Sequence, residues 1–292
     1  MPKLVNHAHK QANIVDTFLF YNELDLLKVR LSYLGEHVDK FIITEANIDF
    51  AGKPKPFLLN NELIQSLPFS EKIVYHQEHI NLNSFAWRYK RIRYHNRKVK
   101  FLWAIQDAQR NSLLKPLSNY SKNDIVIFSD LDEFPAILAI HEAIRILRLS
   151  SSNQKQWAVS LHQTLFYFNA NSCAYEDIFY GSIIAKNEVF FKTKPHQLRA
   201  HKNDLPHVEG GGWHFSYFMD EEKIVNKVLT ISDVENLGHF KQLSVDEVRY
   251  KVANKLDLYD RPVPLGGKPA NPIPEELLGL IHKYLPICAW RK

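Results

Sequence analysis

The segment of residues 124–135, DIVIFSDLDEFP, constrains the fold of this chain more than any other. Its apolar run at 125–128 is short and mostly β-branched, which favours a strand buried on both faces over a helix. Strands of that kind belong to parallel sheets covered by helices. Asp130 and Asp132 follow the strand directly, and Pro135 is well suited to the first turn of a new helix.

Two carboxylates separated by one residue at the end of a buried strand are costly to keep charged without a compensating cation. A divalent metal ion supplies that charge, because hard cations bind oxygen ligands and share them with phosphates. The alternative is an acidic turn in which Glu133 belongs to the start of the next helix. The spacing of Asp130 and Asp132 leaves both interpretations open.

Apolar periodicity alternates between strand-like and helical segments along the chain. The order over 14–149 is strand, helix, strand, strand, helix, strand, helix, which predicts an α/β fold with a Rossmann-like, mixed but mainly parallel sheet flanked by helices. The predicted strands are 14–20, 40–44, 72–76, 125–128, 157–168 and 180–191. The predicted helices are one capped by Asn22, then 84–115 with a break near Asn96, 135–149, 220–229, 245–256 and 275–284.

The length of 292 residues suits one large α/β domain or two small ones. We expect a single domain with two halves, 12–150 and 151–260, followed by a C-terminal extension at 261–292. The polar segment 150–156 is the predicted seam between the halves.

The two cysteines, Cys173 and Cys288, are too few for a disulfide framework or a cysteine-rich zinc site. No apolar run approaches the ~20 residues that cross a bilayer, and the first residues lack the apolar core of a signal peptide. We therefore expect a cytoplasmic protein without a transmembrane segment. The net charge of +5 is compatible with anionic ligands and identifies none.

Polar residues stand at the ends of the predicted strands. In open α/β sheets, ligands bind beyond the carboxyl ends of the strands, so these residues predict one shared cleft. They are Tyr21, Asn22, Glu45, Asn47, His76, Asp130 and Asp132. His214, which follows three glycines at 210–212, is either a nitrogen ligand for the same cation or a hydrogen-bonded core residue.

The most conspicuous charge feature is the basic tract from Arg88 to Lys100, which is interleaved with aromatic residues. Such a tract is typical of nucleic-acid binding, because basic side chains bind phosphates and aromatic rings stack on bases. It is also typical of a solvated helix face whose Lys and Arg stems cover apolar surface. Contact with an anionic membrane surface is the third interpretation.

Five blocks of the chain resemble glycosyltransferase family 17 in sequence and in order. They are DTFLFYNELDLLKVRLSYLGEHVDKFIITEAN at 16–47, GKPKP at 52–56, WAIQDAQRN at 103–111, DIVIFSDLDEFP at 124–135 and GGWHFSYF at 211–218. The resemblance implies a GT-A-like fold, a UDP-sugar donor and transfer with inversion at the anomeric carbon. It implies N-acetylglucosamine or a similar sugar, and a saccharide or glycoconjugate acceptor rather than a nucleic acid.

The resemblance and the strand-end positions together predict the roles of individual residues. Asp130, Asp132 and His214 would bind Mn²⁺ or Mg²⁺, which bridges the two phosphates of the donor. The other expected donor contacts are Tyr21, Asn22 and Glu45 at the nucleoside and Arg110 and Arg199 at the phosphates. The two arginines could equally belong to structural ion pairs.

Inversion requires a general base that takes the proton of the attacking hydroxyl. The candidates are Glu209, just before the glycines, and Asp177 or Glu176 further upstream. Two rival functions remain: a metal-dependent phosphohydrolase that uses Asp130 and Asp132, and a nucleic-acid-binding protein that uses the basic tract.

Overall fold

The computed structural model describes residues 12–149, 157–174, 179–230 and 243–289. The strands in these ranges are β1 (Ile14–Phe20), β2 (Lys40–Ala46), β3 (Ile73–Glu78), β4 (Ile125–Phe128), β5 (Glu133–Pro135), β6 (Ala158–Tyr167), β7 (Phe179–Lys186), β8 (His207–Val208) and β9 (Gly212–Ser216). The α-helices are α1 (Leu24–Leu34), α2 (Asn61–Gln65), α3 (Phe85–Arg93), α4 (Lys98–Ser112), α5 (Leu114–Leu117), α6 (Ile137–Leu149), α7 (Asn187–Lys192), α8 (Pro195–Ala200), α9 (Glu221–Val228), α10 (Val245–Ala253), α11 (Glu275–Tyr284) and α12 (Pro286–Ala289).

All of these strands join one sheet in the order β3-β2-β1-β4-β7-β6-β9-β5, with β8 beside β6. The pairings of β1 with β2 and β4, of β2 with β3, and of β6 with β8 and β9 are parallel. Antiparallel pairings join β7 to β4 and β6, and β5 to β9. The predicted α/β class with a mixed, mainly parallel sheet is therefore confirmed.

Two apolar layers cover the sheet. Ile127 of β4 packs in one core with Leu27 of α1, Ile140 of α6 and Leu277 of α11. The neighbouring Phe128 packs in the other core with residues of α7 and α8. Side chains of a strand point alternately to its two faces, so a short run that is apolar throughout must be covered on both sides.

Two predicted helix starts are wrong. Asn22 does not cap α1, because Glu23 occupies the N-cap position and the backbone carbonyl of Asn22 accepts from Leu24 N at 3.0 Å. Pro135 does not begin α6, because residues 133–135 form β5 and pair with β9. This pairing delays the helix to Ile137.

Other predicted boundaries are partly confirmed. Residues 84–115 contain the expected break, between α3 and α4. The strand predicted at 180–191 ends at Lys186 and continues as helix α7. The buried Asn187 side chain lies at this change and donates to the carbonyls of Leu117, Tyr120 and Ser121. The predicted seam at 150–156 lies outside the described residues.

Candidate active site

The loop after β4, residues 129–133, carries the two aspartates and is fixed by a buried arginine. Arg30 of α1 donates to Asp16 of β1 from Nε at 2.8 Å and from Nη2 at 2.7 Å, with both side chains fully buried. Its third nitrogen, Nη1, donates to the carbonyl of Leu131 at 3.3 Å and to that of Glu133 at 2.5 Å. Charge-assisted hydrogen bonds therefore tie the loop backbone to the sheet.

Asp130 lies between two arginines and stays open to solvent on one side. Its carboxylate accepts from Arg199 Nη2 at 2.8 Å and from Arg110 Nη2 at 3.3 Å. Burial opposes the ionisation of Asp130, but the charges of Arg199 and Arg110 outweigh it and lower the pKa of this carboxyl. The side chain is 35% exposed, so a ligand can reach a charged carboxylate.

Arg199 is itself held by further acceptors. Its Nη1 donates to Glu133 Oε2 at 2.7 Å and to the carbonyl of Gly181 at 3.1 Å. Glu133 is fully buried, and it also accepts from the backbone N of Asp130 at 3.0 Å. Arg199 thus forms a structural ion pair with Glu133, and it also contacts the partly exposed Asp130.

Asp132 is the less accessible of the two aspartates. Lys227 of α9 donates to its Oδ2 at 3.1 Å, and His214 Nε2 lies 3.5 Å from its Oδ1. Burial opposes ionisation, but the Lys227 ammonium lowers the pKa of Asp132 far below its usual range. Lys227 also pairs with Glu23 at 3.1 Å.

His214 reaches this site because β9 packs against β5. The two strands pair Glu133 with His214 and Pro135 with Gly212. Gly212 has φ +124°, and a Cβ on it would lie 2.0 Å from the Phe134 carbonyl oxygen, so only glycine allows this approach. The Nδ1 atom of His214 is buried without a hydrogen-bond partner.

Lys202 adds a further cation beside Asp130. Burial and the positive charge of Arg199 lower the pKa of Lys202 to about 8, although Glu133 and Asp130 oppose the change. Its Nζ lies 4.1 Å from the centre of the Phe179 ring. The loop is therefore surrounded by cations: Arg110, Arg199 and Lys202 on the Asp130 side and Lys227 on the Asp132 side.

Within the described ranges, no three His, Cys, Asp or Glu side chains converge tightly enough to form a metal-binding group. The structure nevertheless places Asp130 and Asp132 in the loop after β4 and His214 Nε2 at 3.5 Å from Asp132 Oδ1. The two carboxylates are neutralised there by basic side chains of the same chain.

The three predicted nucleoside residues lie in different environments. The Tyr21 ring is 5.7 Å from Lys55 Nζ, and burial raises the pKa of its phenol. Asn22 lines a cavity of about 370 Å³ together with Glu23 and residues of α9 and the C-terminal helices.

Glu45 is a buried acceptor rather than an exposed side chain, because β2 extends past the predicted end at residue 44. It accepts from Lys55 Nζ at 2.5 Å, Leu58 N at 2.8 Å and Tyr75 Oη at 2.7 Å. Glu45 therefore fixes the loop that follows β2.

The carboxylate candidates for a general base are less well defined. Glu209 is 70% exposed, and its carboxylate lies 2.5 Å from His162 Nδ1 and 3.2 Å from His207 Nε2. The hydrogen bond with His162 is the main cause of its lowered pKa. Glu176 and Asp177 lie outside the described residues.

Sequence reasoning missed several residues of the site. Lys202 and Lys227 carry no recognisable motif, and only the folding of the second half brings them to the loop. Arg30 and Asp16 did have a signal: a charged residue on the apolar face of α1 and one inside an apolar strand. Two opposite charges in core positions predict a buried pair.

Two carboxylates therefore follow the carboxyl end of the central strand β4 and are surrounded by Arg and Lys side chains. The sequence model of glycosyltransferase family 17 matches residues 4–264. The chain belongs to this family. Neither the phosphohydrolase nor the nucleic-acid-binding alternative is favoured by this result.

Two curated relatives are similar over a shorter stretch. They are the rat and human proteins named β-1,4-mannosyl-glycoprotein 4-β-N-acetylglucosaminyltransferase, both 26% identical over 159 residues. The match covers 53% of this chain and about a quarter, 27%, of each relative.

Solved structures give only distant similarity. A 4-diphosphocytidyl-2C-methyl-D-erythritol synthase aligns at TM-score 0.39 and 10% identity, over 69% of this chain and 89% of that one. The Francisella tularensis 2-C-methyl-D-erythritol 4-phosphate cytidylyltransferase aligns at TM-score 0.37 and 13% identity, over 68% and 90%.

None of the helices in the described part of the chain is long and apolar enough to span a membrane. The cytoplasmic location stays a prediction.

Proposed function

We propose that the protein transfers N-acetylglucosamine, or a similar sugar, from a UDP-sugar to a saccharide acceptor with inversion at the anomeric carbon. The observation that carries this proposal is the convergence of Asp130, Asp132 and His214 with four basic side chains at one sheet edge. In this proposal residues 12–150 bind the donor and 151–260 the acceptor, with 261–292 as an extension. The names of the curated relatives support N-acetylglucosamine as the sugar.

The donor atoms of this site fit Mn²⁺ or Mg²⁺. Asp130 and Asp132 are both held ionised, Asp130 has an open face, and His214 directs its Nε2 toward Asp132 Oδ1 at 3.5 Å. Hard divalent cations prefer carboxylate oxygens and accept imidazole nitrogen as well. We propose that these three residues hold the ion, which would neutralise charge on the departing diphosphate.

Basic side chains would orient the same diphosphate. Arg199 is fixed by Glu133 and the Gly181 carbonyl, so it can bind phosphate oxygens without first losing conformational freedom. Arg110 and Lys202 lie on the same side of Asp130. Their charges would hold the leaving group while the bond between the anomeric carbon and the UDP oxygen breaks.

The nucleoside would lie further along the same edge. Tyr21 and Asn22 follow β1 directly, and the Tyr21 ring lies 5.7 Å from Nζ of Lys55, in the loop that Glu45 fixes. We propose that Tyr21 and Asn22 contact the nucleoside and that Glu45 acts through that loop. Inversion then needs one carboxylate to take the proton of the acceptor hydroxyl as its oxygen bonds to the anomeric carbon. Glu209 and Asp177 or Glu176 remain the candidates for this base.

A thermal-shift experiment tests the donor, because a ligand that binds only the folded state raises the melting temperature. UDP-N-acetylglucosamine, UDP-glucose, UDP and a GDP-sugar would be compared with Mn²⁺ and with EDTA. We expect the largest shift for a UDP-sugar with Mn²⁺, and little shift for Asp130→Asn. Equal shifts for GDP- and UDP-sugars would contradict the proposed donor.

A turnover assay separates the proposal from the rival enzyme. Release of UDP from UDP-N-acetylglucosamine should depend on a saccharide acceptor and disappear in Asp132→Asn. A metal-dependent phosphohydrolase would instead release inorganic phosphate from p-nitrophenyl phosphate without any acceptor. Release of phosphate without an acceptor would contradict the assignment of glycosyl transfer to this site.

A further inference from the structure

Helix α3 exposes an apolar stripe that the described part of the chain leaves uncovered. The helix contributes no buried residue. Three of its large apolar side chains are mostly exposed: Phe85 at 87%, Tyr89 at 58% and Ile92 at 72%. Single exposed apolar residues are ordinary, but several together on one element mark an interaction surface.

The three side chains lie on one face of α3. Successive residues of a helix are rotated by about 100°, so positions 85, 89 and 92 project within an arc of about 60°. Arg88 and Arg93 fall on either side of this arc. An apolar stripe bordered by long basic side chains is the pattern of helices that lie in the plane of a membrane interface.

The charged residues of the segment that contains the stripe all have one sign. Residues 84–106 contain seven Lys or Arg and no Asp or Glu. The seven are Arg88, Lys90, Arg91, Arg93, Arg97, Lys98 and Lys100. A surface that combines this charge with apolar side chains is complementary to an anionic bilayer.

The opposite side of α3 is fastened to the body of the protein. Trp87, which projects away from the stripe, meets Phe101 of α4 edge-to-face at 5.8 Å. Both rings pack against a core cluster that includes Leu102 and Ile105. The stripe therefore faces outward from a helix whose orientation is set by packing.

We propose that α3 docks the protein on an anionic lipid bilayer, with Phe85, Tyr89 and Ile92 at the boundary of headgroups and acyl chains. Arg88 and Arg93 would contact the lipid phosphates beside them. The aliphatic Ile92 at the C-terminal end of the stripe favours lipid over nucleic acid, since it gains from acyl chains and offers no ring for stacking on a base. This inference does not depend on the proposed sugar transfer.

Co-sedimentation with vesicles tests the docking surface in the full chain. Vesicles of phosphatidylcholine alone would be compared with vesicles that contain about 30% phosphatidylglycerol, at about 0.1 M salt. We expect binding to the anionic vesicles only. The triple variant Phe85→Ser, Tyr89→Ser, Ile92→Ser should reduce that binding by more than about tenfold, because the inserted apolar area is lost.

Matched variants test whether the loss of exposed apolar or charged side chains anywhere on the protein weakens vesicle binding. The triple variant Leu138→Ser, Phe191→Ser, Tyr250→Ser removes exposed apolar residues elsewhere and should bind like wild type. The double variant Arg88→Gln, Arg93→Gln should bind anionic vesicles about thirtyfold more weakly than wild type. The control double variant Arg148→Gln, Arg249→Gln, which removes two positive charges elsewhere, should change vesicle binding little. Unchanged melting temperatures would show that all variants are folded.

Three outcomes would overturn the proposal. The first is that the wild-type protein does not bind anionic vesicles. The second is that the α3 variants and the control variants lose vesicle binding equally. The third is that the protein binds a single-stranded oligonucleotide but no vesicles, and that the α3 serine variant still binds the oligonucleotide. The last result would assign the basic tract to nucleic acid.

Discussion

Arg30 and Asp16 form a fully buried pair whose arginine also supports the backbone of the loop that carries Asp130 and Asp132. The arginine is stacked near Phe18, with 4.7 Å between its guanidinium carbon and the ring centre. One side chain thus links strand β1, helix α1 and the active-site loop. Its removal should affect both stability and catalysis.

Arg30→Met should lower the free energy of unfolding by about 3–5 kcal/mol, because it leaves a buried carboxylate and two buried carbonyls without their donor. Urea denaturation at pH 7 measures this change. Arg145→Met breaks the exposed pair with Glu142 and should leave the unfolding midpoint nearly unchanged. Similar losses of unfolding free energy in both variants would show that the buried pair contributes no more to stability than the exposed pair.

The Asp132–Lys227 pair should make stability depend on pH. The folded pKa of Asp132 lies below its unfolded value, so its ionised form stabilises the fold above the ordinary aspartate pKa of about 3.9. This contribution is lost as the pH falls toward the folded pKa. We therefore expect Asp132→Asn to be less stable than wild type at pH 7, and the difference to shrink steadily below about pH 4. A difference that grows on acidification would contradict the pairing.

Much of the fold could be predicted because single segments determine it. The buried strand at 125–128 and the amphipathic helix at 275–284 match the structure, since their apolar patterns do not depend on distant residues. The position of Asp130 and Asp132 follows from the end of that strand and the rule for open sheets.

Features that arise from tertiary contacts could not be predicted. Strand β5 has three residues, and it exists because Gly212 lets β9 approach the backbone of Phe134. The cations around the loop come from α4, α8 and α9 and from the turn after α8, and their meeting point depends on how the helices pack. The local sequence pattern of each helix contains no information about the distances between side chains of different helices.

Gly212→Ala should disrupt the pairing of β5 with β9. The added Cβ would meet the Phe134 carbonyl oxygen at 2.0 Å, and φ of +124° is strained for any other residue. We expect a loss of at least about 2 kcal/mol in the free energy of unfolding, together with loss of UDP release. Gly279→Ala in α11 is the control. Its Cβ meets nothing within 4 Å, so alanine should stabilise that helix by about 0.5–1 kcal/mol.

Lys202 should give donor binding a pH dependence that arginine does not share. With a pKa of about 8, Lys202 loses its proton between neutral and mildly alkaline pH, so its attraction for a diphosphate falls as the pH rises. Between about pH 6.5 and 8.5 we expect the affinity for UDP-N-acetylglucosamine to fall by about threefold, because about a quarter of such a group is still charged at the higher pH and its neutral form binds about tenfold more weakly.

Titration calorimetry at both pH values measures this effect with matched variants. Lys202→Arg stays charged throughout, so its affinity should change little with pH. Lys202→Met should bind about tenfold more weakly at pH 6.5 and show a similarly flat profile, because a charge-assisted contact with phosphate is missing at both values. If wild type and Lys202→Met lost affinity in parallel as the pH rose, another group would control donor binding.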